Sequence, residues 1–357
     1  MGKVFHIKNI SVSLLKASLF QPFRTALGTH HTLKNVLFIL ELSDGTKGYG
    51  EAAIATHITG ETVDETNRNL KAIGPSLIGR KVSEYLKISK ELHERLSKNK
   101  AAVAAVEMAL LDAFTRCQPI PLWKFFGPKP QRLVTDITIV IADLKETEES
   151  VERYYAQGFR TFKVKIGRDM DLDIKRVLAV KRLAPKGTIY LDANQGYASH
   201  EILKFLNLLE NKKIHPSLIE QPVPKEDWEG LKRVARSTKV PVCADESIRS
   251  LEEAKRAMKE KAVTVINIKL MKYGVFQACT IARLARAAGL HLMMGGMMET
   301  SLAMTAAAHL ASGLGCFKYI DLDTPFFIRG EVAKNPYLNS KGLYDLKRVK
   351  GGIGIIP

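Results

Sequence analysis

The sequence predicts an α/β fold, a closed barrel of eight parallel strands carried behind a smaller domain of mixed α and β structure. Three observations predict it. After residue 128, eight short apolar runs follow one another, most of them separated by segments with helical periodicity. Such alternation marks parallel βαβ units, and eight of them suit a closed barrel. The polar residues closing five consecutive runs, Lys165, Asp192, Glu220, Asp245 and Lys269, are spaced by 27, 28, 25 and 24 residues, about one strand–helix unit each. No Gly-x-Gly-x-x-Gly loop follows the first run, which weakens the alternative of a doubly wound open sheet.

Taken in order, Ile10, Val12 and Leu14 alternate with polar residues as in a half-buried strand. VLFILEL (36–42), Ser-Asp-Gly-Thr (43–46) and KGYGEA (47–52) read as a hairpin. Residues 62–116 carry helical periodicity, including AAVAAVEMALLDAF. Pro and Gly then cluster in PIPLWKFFGPKPQ, which marks a boundary between a first domain, 1–128, and a barrel, 129–325. The barrel runs are VTDITIV, TFKVKIG, IYLDANQ, SLIEQP, VPVCADES, VINIKLM, HLMMGG and FKYIDLD. Residues 326–357 hold no further unit and are expected to return to the first domain. The uncharged stretch from Thr300 to Phe317 is rich in Ala, Gly, Ser and Thr and carries His309, so it reads as a close-packed internal helix rather than a membrane span.

A length of 357 residues fits about two domains. Lys plus Arg number 54 against 37 for Asp plus Glu, a formal charge of +17. A polyanion partner would use such a charge. The basic residues are scattered singly and in pairs, however, with no zinc knuckle, RNA-recognition signature or basic stripe among aromatics, so no nucleic-acid partner is expected. Cys117, Cys243, Cys279 and Cys316 stand far apart with no Cys-x-x-Cys pair, which fits a reducing cytoplasm. The opening MGKVFHIKNI lacks the apolar core of a signal peptide, and no membrane attachment is expected.

The chemistry is concentrated at the strand ends. Lys163 and Lys165 lie one residue apart in RTFKVKIG and share a face, since strand side chains alternate. If the units close into a barrel, Lys165, Asp192, Glu220, Asp245 and Lys269 converge on the C-terminal rim, where barrel enzymes carry their active sites. Three carboxylates brought together repel unless a cation lies among them, and oxygen ligands without His or Cys favour Mg²⁺. The plainer alternative is three unrelated acids capping helices, with KVK on an edge strand where its lysines are solvated. An ammonium is no base at pH 7, but a neighbouring cation lowers its pKa; Lys163 can do this to Lys165. Lys269 stands three units beyond Asp192, across the barrel mouth. Two bases on opposite faces of a carbon acid, with a metal on its carboxylate, point to a racemase or epimerase.

These residues resemble the enolase superfamily in its muconate lactonizing enzyme subgroup. The resemblance runs over nearly the whole chain and rests on KVK (163–165), DANQ (192–195), IEQP (219–222), ADES (244–247) and NIKLMKYG (267–274). It implies a (β/α)7β modified TIM barrel under an α+β capping domain. It implies Mg²⁺ on Asp192, Glu220 and Asp245, with Lys165 and Lys269 as the acid/base pair and Lys163 in support. Asn194 and Glu246 would orient the ligands and bases. Proteins of this kind usually form homo-oligomers.

Within the subgroup, YIDLDTP (319–325) is similar to the dipeptide epimerases, in which such an Asp-x-Asp binds the free α-amino group. Asp321 and Asp323 are then ligands for a substrate ammonium. METS (298–301) resembles the same group and brings Glu299 near the site. The implied reaction inverts the α-carbon of the C-terminal residue of an L-Ala-L-Xaa dipeptide by two-lysine 1,1-proton transfer through a metal-stabilised enolate. The alternative is an o-succinylbenzoate synthase or N-acylamino acid racemase. QPFRTALGTHH (21–31) resembles the mobile loop over the active site, where relatives acting on Ala-Glu often carry Arg; this chain has Gly28. Arg24, Thr135 and Ile54 are further candidate substrate contacts, as are Thr56, His30, His31 and His57. Without an acidic cluster in these loops, a neutral or apolar second residue is as plausible as Glu.

Overall fold

The computed structural model describes residues 4–167, 169–330 and 333–357, apart from the side chain of His57. The first domain is built on an antiparallel sheet ordered β13-β1-β2-β3, from β1 (Ile7–Arg24), β2 (Thr29–Leu42), β3 (Lys47–Ala52) and the late strand β13 (Ile328–Arg329). The hairpin expected between residues 36 and 52 forms, with Val36 paired to Ala52 and Glu41 to Lys47. Leu14 departs from the expected pattern: it is 46% exposed, whereas Leu15 on the opposite face is buried. Along so long a strand the covered face changes, and simple alternation fails there.

Of the helices Val63–Ile73, Tyr85–Arg95 and Lys100–Arg116, the first and last pack on this sheet and the second packs on the last. The last is buried almost all round because its Ala-rich surface allows close approach. The approach explains both glycines of KGYGEA, since a Cβ at Gly48 or Gly50 would collide with the backbone of Ala109 or Ala105.

The second domain is a single sheet of eight parallel strands, β5 (Ile137–Ile139), β6 (Thr161–Lys165), β7 (Thr188–Asp192), β8 (Leu218–Glu220), β9 (Val242–Ala244), β10 (Val265–Ile268), β11 (His291–Met294) and β12 (Tyr319–Ile320), in chain order across the sheet. Each coincides with one of the eight apolar runs, β7 beginning one residue before its run. Seven connections carry a helix, so the architecture is (β/α)7β. The stretch after Thr300 is the helix Ser301–Leu314, with His309 buried inside the protein. Among the described residues no helix is long and apolar enough to cross a membrane.

The sheet curls until β5 meets β12, and side chains make much of that seam. Asp136 N–H donates to Ile320 O at 3.0 Å. Leu322 N–H donates to Thr135 Oγ1 at 2.7 Å, and Thr138 N–H to Asp323 Oδ2 at 2.6 Å. Beyond residue 326 the chain serves both domains. β13 extends the first sheet, while β14 (Leu343–Tyr344) pairs with β4 (Leu133–Val134) at the entrance to the barrel.

Two buried carboxylates seat the first domain on the barrel. Glu51, on β3, accepts from Thr300 N–H at 3.0 Å and Thr300 Oγ1 at 2.5 Å, at the start of the helix Ser301–Leu314. Glu107 accepts from Val275 N–H at 2.5 Å and Phe276 N–H at 3.2 Å, at the start of the helix Val275–Ala287. Negative charge at a helix N-terminus complements the partial positive charge of its free N–H groups.

Candidate active site

The strand ends bring the sequence constellation together. Lys165, Asp192 and Glu220 are the last residues of β6, β7 and β8 and lie in direct register. Asp245 and Lys269 follow β9 and β10 by one residue. All five are buried, as is Lys163. Lys165 Nζ donates to Asp192 Oδ2 at 2.6 Å and to Asn194 Oδ1 at 3.0 Å. Lys269 Nζ lies 2.8 Å from Asp245 Oδ2. Lys163 Nζ reaches Asp321 Oδ2 at 2.6 Å, Glu220 Oε2 at 2.7 Å and Asp192 Oδ2 at 3.0 Å.

Burial alone would pull the Lys163 ammonium down, but Asp192, Asp321 and Glu220 outweigh it and hold its pKa well above the usual range. For Lys269 burial also acts downward and Asp245 and Glu220 override it, so its pKa is raised. A cation that neutralised those carboxylates would remove the cause of that rise.

The donor set suits a hard divalent cation. Asp192, Glu220 and Asp245 supply oxygen only, and Glu220 Oε2 and Asp245 Oδ2 meet no neutral donor but only the ammonium groups of Lys163 and Lys269, at 2.7 and 2.8 Å, so positive charge already gathers where a cation would lie. The remaining carboxylate oxygens are already oriented. Asn267 Nδ2 donates to Glu220 Oε1 at 2.5 Å, Asn194 N–H to Asp192 Oδ1 at 3.0 Å, and Lys272 Nζ to Asp245 Oδ1 at 2.8 Å. Glu246 receives Asn194 Nδ2 at 3.2 Å, and burial followed by Asp245 and Asp192 raises its pKa.

An open cavity stands over this rim. Lys163, Lys165, Asn194, Lys269, Asp321 and Asp323 line its floor, with Thr138 and Thr324 beside the aspartates. Phe23, Ile54, Ile58, Met297 and Met298 form an apolar wall, partly from the first-domain loops. His30 also lines it, and burial followed by His31 holds its pKa below the usual value.

Other sequence candidates lie elsewhere. The Arg24 guanidinium turns away from the cavity to Glu146 at 3.2 Å. Thr135 is buried at the barrel seam, where its hydroxyl accepts from Leu322. Thr56 is exposed, its hydroxyl donating to Glu61 O at 2.7 Å. The side chain of His57 lies outside the described residues.

Glu299 lies behind the cavity and accepts from Met297 N–H at 2.7 Å. Burial pushes its carboxyl up to about 8, against an ordinary 4.5. The unfolded chain releases this proton near 4.5 and the folded protein near 8, so stability falls as pH rises between them. Glu299→Gln is expected to melt higher than the wild type above about pH 8 and alongside it below about pH 4. Thermal melts across that range check it; parallel curves at every pH would refute the assignment.

Sequence reading missed four contributors. Lys272 is fully buried and also donates to the Asp245 and Asn267 carbonyls at 2.9 Å each. Its signal was a second lysine three residues after Lys269. Asn267 precedes Lys269 by two and so shares its direction in the strand. Gln221 ties two strand ends together by accepting from the Asp245 and Ser247 N–H groups at 3.0 and 3.1 Å. Asp136, a lone acid in VTDITIV, is the fourth.

Fold and rim together define a class, the capped barrels that work by acid–base chemistry on carbon acids. Residues 9–127 match the mandelate racemase/muconate lactonizing enzyme N-terminal domain, and residues 146–357 match the enolase C-terminal domain-like family. The chain belongs to the mandelate racemase/muconate lactonizing enzyme family of the enolase superfamily. It is 45% identical to a hydrophobic dipeptide epimerase of Citrifermentans bemidjiense, over 99% of this chain and 98% of that one. It is 39% identical to an aromatic dipeptide epimerase of Herpetosiphon aurantiacus, over 97% of each. A dipeptide epimerase of Enterococcus faecalis, solved with Mg and the dipeptide L-Leu-L-Tyr, superposes with a TM-score of 0.94 at 32% identity, covering 99% of this chain and 100% of that one.

Proposed function

We propose that the protein is a Mg²⁺-dependent epimerase of free-amine dipeptides whose second residue is hydrophobic. One observation carries the reading: a cavity with lysines from opposite strands and paired aspartates on its floor has an apolar wall that offers no cation. Relatives named as hydrophobic and aromatic dipeptide epimerases support it, as does the Mg²⁺ and L-Leu-L-Tyr complex of the Enterococcus faecalis enzyme.

The chain's residues divide the work. Asp192, Glu220 and Asp245 would hold Mg²⁺, which when bound stabilises negative charge developing on the substrate carboxylate. Lys165 and Lys269 approach the α-carbon of the second residue from opposite sides, one removing its proton and the other returning one. Asp321 and Asp323 take the ammonium of the first residue. The second side chain lies against Phe23, Ile54, Ile58, Met297 and Met298. Four free thiols and the +17 charge add nothing to this chemistry, although the thiols fit a reducing cytoplasm.

The test is α-proton exchange in D₂O over L-Ala-L-Xaa dipeptides. Exchange with inversion is expected for Leu, Phe and Tyr, with kcat/KM about 100-fold or more above L-Ala-L-Glu, whose carboxylate would be buried unpaired. A Cβ at Gly28 meets nothing within 4 Å, so Gly28→Arg should fold and narrow that gap. Equal rates for Leu and Glu in the wild type would sink the hydrophobic assignment. Exchange confined to N-acylated amino acids would sink the free-amine one.

A further inference from the structure

Asp136 is fully buried at the seam between the first and last barrel strands. Strand alternation puts it on the same inward face as Thr138, which lines the cavity. One of its carboxylate oxygens lies with one each from Asp321 and Asp323, all within 4.8 Å of one another. Neither Asp136 oxygen meets a hydrogen-bond donor among the described residues. The nearest cation is engaged elsewhere, since Lys163 Nζ is spent on Asp321, Glu220 and Asp192. Tyr190 and Tyr319, packed edge to face at 5.4 Å, occupy the barrel interior beneath.

A buried carboxylate without a donor is stabilised only by a cation or by taking up a proton. Lys163 Nζ, 2.6 Å from Asp321 Oδ2, supplies the cation on the Asp321 side of the cluster. On the Asp136 side, one proton shared with Asp321 relieves the repulsion between the carboxylates. Two carboxyl groups offer only acceptors until one is protonated, and a protonated one donates. Burial, then Asp321 and Asp323, hold the Asp136 carboxyl well above the usual carboxylate range.

The geometry points to Asp136 as a positioning residue for the ammonium end of the substrate, a carboxylic acid that donates a hydrogen bond to Asp321 and holds it beside Asp323, facing the cavity. Two carboxylates aimed at one ammonium repel each other before it arrives. The Asp136 hydroxyl fixes one, and Thr138 N–H, donating at 2.6 Å, fixes the other. The inference rests on the ammonium role proposed for Asp321 and Asp323.

The experiment compares kcat/KM for α-proton exchange on L-Ala-L-Leu with that on N-propionyl-L-leucine, which lacks only the amino group. In Asp136→Ala the ratio is expected to fall by about 10- to 100-fold, the range for losing a hydrogen bond to a charged group. Asp136→Asn, which keeps a donor without a charge, is expected to restore it to within about threefold of wild type. A merely structural residue would depress both substrates together, and an unchanged ratio in Asp136→Ala overturns the inference. So does an Asn variant as impaired as the Ala variant, because charge rather than donation would then matter. Asp321→Asn separates the two layers. If the ratio falls there and not in Asp136→Ala, only this inference fails. If it falls in neither, the ammonium reading fails with it. Thermal melts of each variant identify any that do not fold, and Asp136→Asn keeps the test decisive if Asp136→Ala is one of them.

Discussion

Lys165→Ala and Lys269→Ala are each expected to abolish interconversion of the two epimers while leaving α-proton exchange in one epimer, a different one for each variant. β6 and β10 stand four strands apart in a ring of eight, so the two ammonium groups approach a bound substrate from opposite sides. Inversion needs both. Exchange without inversion needs only the lysine facing the departing proton. Loss of one general acid or base costs about 10²- to 10⁴-fold in rate. Incubating the L,L and L,D dipeptides separately in D₂O reads the outcome. Exchange of the same epimer by both variants would place the lysines on one side and refute the two-base arrangement.

Exhaustive removal of divalent cations is expected to cost roughly 10³-fold or more in activity, several kcal/mol of charge stabilisation, restored by Mg²⁺ and not by K⁺. A second readout is independent of turnover. Mg²⁺ at about 100 times its Kd should stabilise the fold by about 2.7 kcal/mol, and Glu220→Gln should abolish that gain. The gain should shrink as pH falls. Burial, Asp192 and Asp245 raise the pKa of Glu220, so it is the ligand that protonates first on acidification, and a protonated carboxyl is a poor ligand. Melting curves with and without Mg²⁺ between about pH 5 and 8 check this. Full activity in excess EDTA would exclude the metal from the reaction.

The barrel was legible because its information is local and repeated. Each strand is a short apolar run, and each rim residue closes one, so a fixed spacing gives both fold and site. Asp192, Glu220, Asp245 and the lysines could be placed for that reason. Residues acting across the ring were not legible. Asp136 meets Asp321 only because the sheet closes, and Lys272 reaches Asp245 from a four-residue helix that no periodicity announces. Arg24 illustrates the converse. It ends β1, next to the loop over the cavity, but its direction depends on Glu146, 122 positions away. Leu14 and Leu15 show the limit of period-two reading on a strand whose covered face changes.

If Asp321 and Asp323 take the substrate ammonium as proposed, the seam between β5 and β12 ties recognition of that end of the substrate to the integrity of the ring. Asp323 receives Thr138 N–H across that join, and Asp136 and Thr135 make the adjacent links. A lineage that altered these groups to accept a different head group would loosen its own scaffold in the same step. The opposite wall carries no such burden. Phe23 lies near the end of β1 and Ile54 in the loop after β3, and the space at Gly28 is open. On the proposed reading, substitutions in that wall change the tail the site accepts at little cost to the ring, whereas the grip on the free amine is built into it.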